Sequence, residues 1–466
     1  MFDEWIDGKK EEMISSLKQT ISYPSISEET NDSTMPFGKA CHDVLEYVLN
    51  LGKELGFRTK NLDHYCGYIE FGEGEELVGI LGHLDVVPAD DLWTHPPFSA
   101  TIENNKLYGR GAIDDKGPVI SSLYAMKAVM DIVKVKKRVR LILGLNEEKS
   151  WKCISYYKLH EEAPTIGFSP DADFPCIYAE KGILTMFLKQ DYSPSSPIII
   201  TDIDTNHNAI NVVPKYCKVI LTSTSNIIQT SILPFMQEYI EKNHASIEFK
   251  LIDDRHVEVV SHGISAHAAH PDLGKNAISH MIVFLNALWK VHHMKSSLFD
   301  FFDQAIHLEY NGELLGIDAE DESGNLTLNV GHFSLKDNQF QIGMNLRVPV
   351  TKSLDELSSQ IQNKVISYDK AILCEIHGKK EPLYISKEDP LVTTLCRIFN
   401  QKTGMQASPI AIGGATYARA FPNCISFGAN MPGHKDMCHQ VDEFIDLDIF
   451  FISSKIYAEA IYELAK

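Results

Sequence analysis

The sequence predicts an α/β protein, a mainly parallel sheet covered by helices, interrupted by a large inserted α+β domain with two lobes. Three observations predict this. Short apolar runs of strand character at 77–81, 139–145, 166–168 and 424–427 alternate with helix-like stretches at 117–133 and 150–160, the order that builds parallel sheets with both faces covered. From about residue 184 to about 383 that alternation stops and strands dominate. Within this middle stretch, one order of elements occurs twice.

The elements follow from periodicity. Residues 4–20 and 39–56 read as amphipathic helices, the second placing Val44, Leu45, Val48, Leu49 and Leu55 near one face. The first lobe of the insert reads as strand 216–222, helix 232–242 and strands 247–252 and 256–260. The second reads as strand 340–349, helix 354–366 and strands 371–376 and 382–385, with the acidic stretch 318–323, between Gly316 and Gly324, as a surface loop separating the two. The expected domains are therefore 1–183 with 384–466, and an insert at 184–383.

Length and charge exclude several classes. A chain of 466 residues is too long for one ordinary core. Lys+Arg 43 against Asp+Glu 63 gives a formal charge of −20, which argues against nucleic acid or an anionic membrane as partner. Nine scattered cysteines without a CxxC do not make a secreted disulfide framework. The N-terminus is charged and amphipathic rather than signal-like, and no apolar run approaches a membrane span. The expectation is a cytoplasmic protein.

The chemistry sits where the strands end. The run 77–81 is followed by Gly82-His83-Leu84-Asp85, the run 139–145 by Asn146-Glu147-Glu148, and the run 166–168 by Ser169-Pro170-Asp171. The run 424–427 leads through a Gly/Pro-rich loop to His439. In open α/β sheets the ligand site lies outside the carboxyl ends of the strands. Any one of these residues, taken singly, is ordinarily a solvated loop residue; four coincidences point to a site. Two nearby divalent cations need oxygen and nitrogen ligands and a carboxylate able to bridge. His83, Asp114, Glu148, Asp171 and His439 offer that set. Glu147 and Glu148 point in different directions as consecutive residues, so one can bind metal while the other acts as general base. Asp85 could orient the imidazole of His83 or set the basicity of the general base.

The segments GHLDVVPAD (82–90), YGRGAIDDKGP (108–118), NEEKSW (146–151), SPDADFP (169–175) and MCHQVDE (437–443) resemble, in order and spacing, the five metal-site motifs of the M20 metallopeptidase family. SPDADFP, GGATYAR (413–419) and the doubled insert are most similar to its PepV-type dipeptidases. The resemblance implies that His83 and Asp171 hold one ion, Glu148 and His439 the other, and that Asp114 bridges them, with Asp115 as the alternative bridge. It implies Glu147 as general base, Asp85 as the residue that orients, and a cis peptide after Asp114. Lys149 departs from the family pattern, which usually has a small hydroxyl residue there.

In the insert, HGISAHAAHPDLGKNA (262–277) resembles the family's lid motif, in which His267 reaches the scissile carbonyl oxygen. NVVP (211–214) and NLRVP (345–349) resemble segments that bring Asn211 and Arg347 to the substrate, and Arg is a good partner for a free carboxylate. Gly413 and Gly414 permit close backbone approach to a ligand. The implied activity is hydrolysis of dipeptides with two divalent cations, Zn²⁺ or Mn²⁺. Alternatives are a deacylase or desuccinylase acting on N-acyl amino acids, and a catalytically silent metal-binding regulatory protein. A second lobe in the same chain could replace a partner's lid, which predicts a monomer. Cys153 and Cys176, each five residues after an expected ligand, would approach each other if their strands are neighbours; the favoured alternative is two separately buried thiols, since buried free cysteine is common.

Overall fold

The computed structural model describes residues 1–89, 92–193, 197–223 and 227–466; Asp90, the last residue of the first motif, lies outside them. The described residues divide into two compact units. The first comprises Met1–Ala179, Leu383–Ile410 and Ala415–Lys466; the second comprises Glu180–Pro382 and Ala411–Gly414. The four residues 411–414 thus belong with the second unit, not with the C-terminal segment that surrounds them.

The first unit is built on a nine-stranded mixed sheet. Its centre is parallel: Leu77–His83 lies between Arg138–Gly144 and Ile166–Ser169, and Cys424–Ser426 follows on the far side of Ile166–Ser169. These are the four apolar runs of the sequence. They are buried almost throughout, as strands covered on both faces must be. The sheet is not parallel at its margins. The hairpin Arg58–Leu62 and Cys66–Phe71 adds antiparallel to Arg138–Gly144, and Ile177–Glu180 meets Cys424–Ser426 antiparallel.

Two helices account for much of the core. Lys116–Ile132 is apolar around nearly its whole circumference and buried along most of its length, as a helix without a polar face must be. Leu447–Ala465 is similar, and the two lie together, with Ser121 Oγ 2.7 Å from Ser454 Oγ. The N-terminal helix expected over 4–20 is two helices, Asp3–Asp7 and Lys10–Ile21, broken at Gly8-Lys9.

The second unit holds two four-stranded sheets. One runs Ile198–Asp204, Tyr216–Ser223, His256–His262, Ile247–Asp253; the other runs Thr327–Lys336, Gln339–Val348, Gly182–Asp191, Leu373–Lys380. Helices Leu233–Asn243 and Leu354–Tyr368 occupy equivalent places in the two halves. One continuous hydrophobic core runs under both sheets. The last strand assigned to the second lobe, Leu383–Tyr384, instead joins the sheet of the first unit beside Ile177–Glu180.

Candidate metal centre

The parallel register brings the ends of the strands level: His83 pairs with Gly144. Directly before it, Gly82 leaves space that a Cβ would fill, 2.5 Å from Val119 Cγ2 and 2.7 Å from Asp115 Oδ2. The Asp115 carboxylate therefore reaches the strand, and its Oδ2 accepts the His83 N–H at 3.0 Å. That occupies Asp115 as a brace of the strand end, so Asp114 is the residue facing the site. The peptide between them is cis.

His83 is fully buried. Its Nδ1 donates to the main-chain oxygen of Asp85 at 2.9 Å, which turns Nε2 toward Asp114 Oδ1 at 3.1 Å and Asp171 Oδ2 at 3.6 Å. The other oxygen of Asp114 stands 3.0 Å from His439 Nε2, which is also 3.1 Å from Glu148 Oε1. Asp114 thus divides its carboxylate between two clusters, His83/Asp114/Asp171 and Asp114/Glu148/His439, each able to hold a metal ion.

Asp85 does two jobs with two different groups. Its carbonyl orients His83, while its carboxylate, 3.5 Å from His83 Nδ1, accepts the N–H groups of Glu147 and Glu148, each at 3.1 Å. The orientation of His83 foreseen for the Asp85 side chain is thus carried mainly by its main chain. Lys149 is exposed to solvent.

The donors have the electrostatics of a cation site. Burial pushes Asp171 up to about 7, with the neighbouring Asp114 charge adding to the rise. Burial also raises Glu148, with Asp114 adding and His439 opposing. Glu147 is raised well above the ordinary carboxylate range by burial, and by Asp171, Glu148 and Asp85 against the pull of His83. The carboxylates of Asp114 and Glu148 lift His439 to about 11. Like charges gathered out of water cannot all be ionised unless cations join them. Two histidines and three carboxylates, with one carboxylate shared, fit two divalent ions of the hard or borderline kind.

Two supports escaped the sequence reading. Glu443 Oε1 accepts the N–H groups of Ile113 and Asp114 at 3.0 and 3.3 Å, and its Oε2 pairs with Arg110 Nη1 at 2.7 Å. Both residues lie inside motifs already singled out, YGRGAIDDKGP and MCHQVDE, and a buried charge in each was the available signal. The buried Tyr417 stands edge-on to His83, with ring centroids 6.3 Å apart, and its hydroxyl meets Cys153 Sγ at 2.6 Å. Cys153 and Cys176 are thus two separately buried thiols, the alternative favoured from the sequence. All nine cysteines are free, and Cys176 meets the carbonyl of Val392 and the thiol of Cys396 instead.

The remaining sequence-chosen residues lie in the second unit. The Asn211 carbonyl accepts the Ala268 N–H at 2.9 Å, beside the bridge Val212–His267. The Ala269 N–H donates to His267 Nδ1 at 3.3 Å, so the neutral ring carries its proton on Nε2. Desolvation, then the charges of Arg347 and His270, lower this imidazole to about 4. Arg347 is buried; its Nε holds Asn345 Oδ1 at 3.0 Å and its Nη1 holds the Gly413 carbonyl at 2.7 Å. A Cβ on Gly413 would stand 2.5 Å from Ala269 Cβ, so glycine is what lets these segments close. Gly414 follows in the same unit.

A parallel-centred α/β unit with paired carboxylate–histidine clusters at its strand ends has the donor set of a two-cation site. The sequence profile of Peptidase family M20/M25/M40 matches residues 79–463, and the chain belongs to that family. YtjP of Bacillus subtilis (strain 168), which carries a provisional dipeptidase name, is 39% identical over 472 residues, covering 98% of each chain. The Beta-Ala-Xaa dipeptidase of Lactobacillus delbrueckii subsp. lactis is 32% identical over 471 residues, covering 100% of this chain and 98% of its own. Human carnosine dipeptidase 1 shares the fold at a TM-score of 0.61 and 14% identity, over 100% of this chain and 98% of that one. Among the described residues, no helix is long and apolar enough to cross a membrane.

Proposed function

We propose that the chain is a dipeptidase that uses two divalent cations, held by His83 and Asp171 on one side and by Glu148 and His439 on the other, with Asp114 shared. The observation that supports this most is the division of Asp114, one oxygen 3.1 Å from His83 and the other 3.0 Å from His439. The dipeptidase names of the full-length relatives support the substrate class.

When bound, the cations supply Lewis acidity and make a water molecule acidic enough to lose a proton near neutral pH. Glu147 takes that proton as the water attacks the peptide carbonyl, and passes it to the leaving amine. Burial and the carboxylates beside Glu147 suit it to both tasks, because a base poised above the ordinary carboxylate range is also a usable acid. Asp85 holds the Glu147 and Glu148 backbone, so the two side chains keep separate roles. His267, neutral and protonated on Nε2, donates to the oxyanion as charge develops. Arg347 pairs with the free carboxylate of the dipeptide, and Asn211 and the 413–414 backbone line its path. Because both halves of the insert belong to one chain, His267 and Asn211 serve their own chain and the enzyme works as a monomer.

The test is reconstitution. Metal-stripped protein is given Zn²⁺ or Mn²⁺ and assayed on a panel of free dipeptides and of N-acyl amino acids. The reading requires metal-dependent hydrolysis of the dipeptides. Turnover of the N-acyl amino acids instead would make the chain a deacylase, and no turnover with either ion would leave a binding protein.

A further inference from the structure

A second cluster of metal-binding side chains lies in the first unit, and none of its residues falls in the five motifs. His42 and Glu46 stand four residues apart on the helix Lys39–Glu54, a spacing that puts both on one face. His64 lies in the turn between the strands Arg58–Leu62 and Cys66–Phe71. One ligand atom from each of the three comes within 4.8 Å of the others. Donors about 2.0–2.2 Å from a common ion stand roughly 3–4 Å apart, so small side-chain torsions close the set.

The surroundings hold these groups in place. His64 has a left-handed backbone, φ 64°, a conformation that histidine adopts more readily than most residues with a side chain. Asn61 holds it there: its Oδ1 accepts the His64 N–H at 2.7 Å. The Asn61 side-chain amide also donates to Glu46 Oε1 at 2.6 Å and lies 3.2 Å from His64 Nδ1. The rings of His42 and His64 are 4.9 Å apart. His42 Nδ1 is buried and, among the described residues, has no hydrogen-bond partner. A buried ring nitrogen without a partner is costly, and a metal ion would satisfy it.

We propose that His42, Glu46 and His64 form a separate single-ion site for a borderline divalent cation, Zn²⁺ being the natural probe, that clasps the helix Lys39–Glu54 to the hairpin beside it. Two imidazoles and one carboxylate select such an ion over Mg²⁺ or Ca²⁺, which want an all-oxygen shell, and they leave coordination positions open to water. The ion binds the folded arrangement and not the unfolded chain, so it stabilises the first unit by mass action.

The site is tested by metal content. Wild-type protein, His42→Ala/His64→Ala and Glu46→Gln are each dialysed to equilibrium against Zn²⁺ at a series of buffered free concentrations, and bound zinc per chain is measured. Glu46→Gln keeps an acceptor for Asn61 and the side-chain volume, so it decides the matter if the double variant does not fold. The wild type should exceed both variants by one equivalent. Its thermal midpoint in Zn²⁺ should rise by a few degrees more than that of Glu46→Gln. Equal zinc content in all three proteins, or an extra equivalent that survives the double substitution, overturns the proposal. The result does not depend on the dinuclear reading, because a shortfall at the main centre lowers wild type and variants alike and leaves their difference intact.

Discussion

Asp85 Oδ1 accepts the main-chain N–H of Glu147 at 3.1 Å, across 62 residues of sequence. With Oδ2 on the N–H of Glu148, one carboxylate holds the whole Glu-Glu dipeptide. Asp85→Asn keeps the shape but turns a donor toward one of those N–H groups. Activity or metal affinity should fall by about 10- to 100-fold without loss of fold, read from kcat at saturating metal and from metal content. Wild-type values for both would show that the brace is dispensable.

The two glutamates should fail differently. Glu147→Ala should retain its metal and lose turnover by at least the roughly 10²–10⁴-fold typical of general acid–base catalysis. Glu148→Ala should lose metal from the Asp114/Glu148/His439 cluster. Metal analysis run beside kinetics separates them, and near-normal turnover in Glu147→Ala would rule that residue out as the base.

His267→Ala should lower kcat by about 10²–10³-fold with a much smaller change in KM. With its pKa lowered to about 4, the ring is neutral above that pH and becomes charged only as pH falls through it. An NMR titration of the His267 ring should therefore have its midpoint near 4, and Arg347→Ala should move it upward by removing a positive charge. A midpoint at the usual 6.5 would contradict the burial of this ring beside Arg347 and His270.

Arg347→Ala should also raise KM for free dipeptides far more than for C-terminally blocked analogues. An equal loss on the two substrate classes would mean that Arg347 supports the fold of the second unit through Asn345 and Gly413 and does not bind the substrate carboxylate.

His280, on the helix Ala277–Val291, gives the second unit a pH dependence of its own. Burial, then the charges of Lys275 and His307, lower its pKa from 6.5 to about 4. Between those values the unfolded chain binds a proton that the folded chain does not, so this stability is complete above pH 6.5 and is lost as pH falls toward 4. Urea midpoints measured over that range should fall toward acid in the wild type and fall less in His280→Gln. Parallel curves would place the acid sensitivity elsewhere.

The four central strands were legible because each is a continuous apolar run, and the helix Lys116–Ile132 because apolar residues cover nearly its whole circumference. Both are local signals of burial. The five residues expected as ligands stood out because each follows such a run or sits in a recognisable motif, and the fold brings them into two clusters. The hairpin Arg58–Leu62 and Cys66–Phe71 carries mixed polar and apolar residues and gives no such signal, so the antiparallel margin of the sheet went unread.

The sequence alone singled out the residues to look at: the acids and histidines at the strand ends, the paired glutamates, and the polar residues of the insert. Only the tertiary structure decided how they divide the work. Asp114 rather than Asp115 faces both clusters because Asp115 is drawn to the His83 amide through the space left by Gly82. Arg110 and Glu443, 333 positions apart, meet because the terminal segment returns to the first motifs. A residue's type and its neighbours in sequence set what it can do; which oxygen meets which nitrogen depends on packing between distant segments, and no local pattern encodes that.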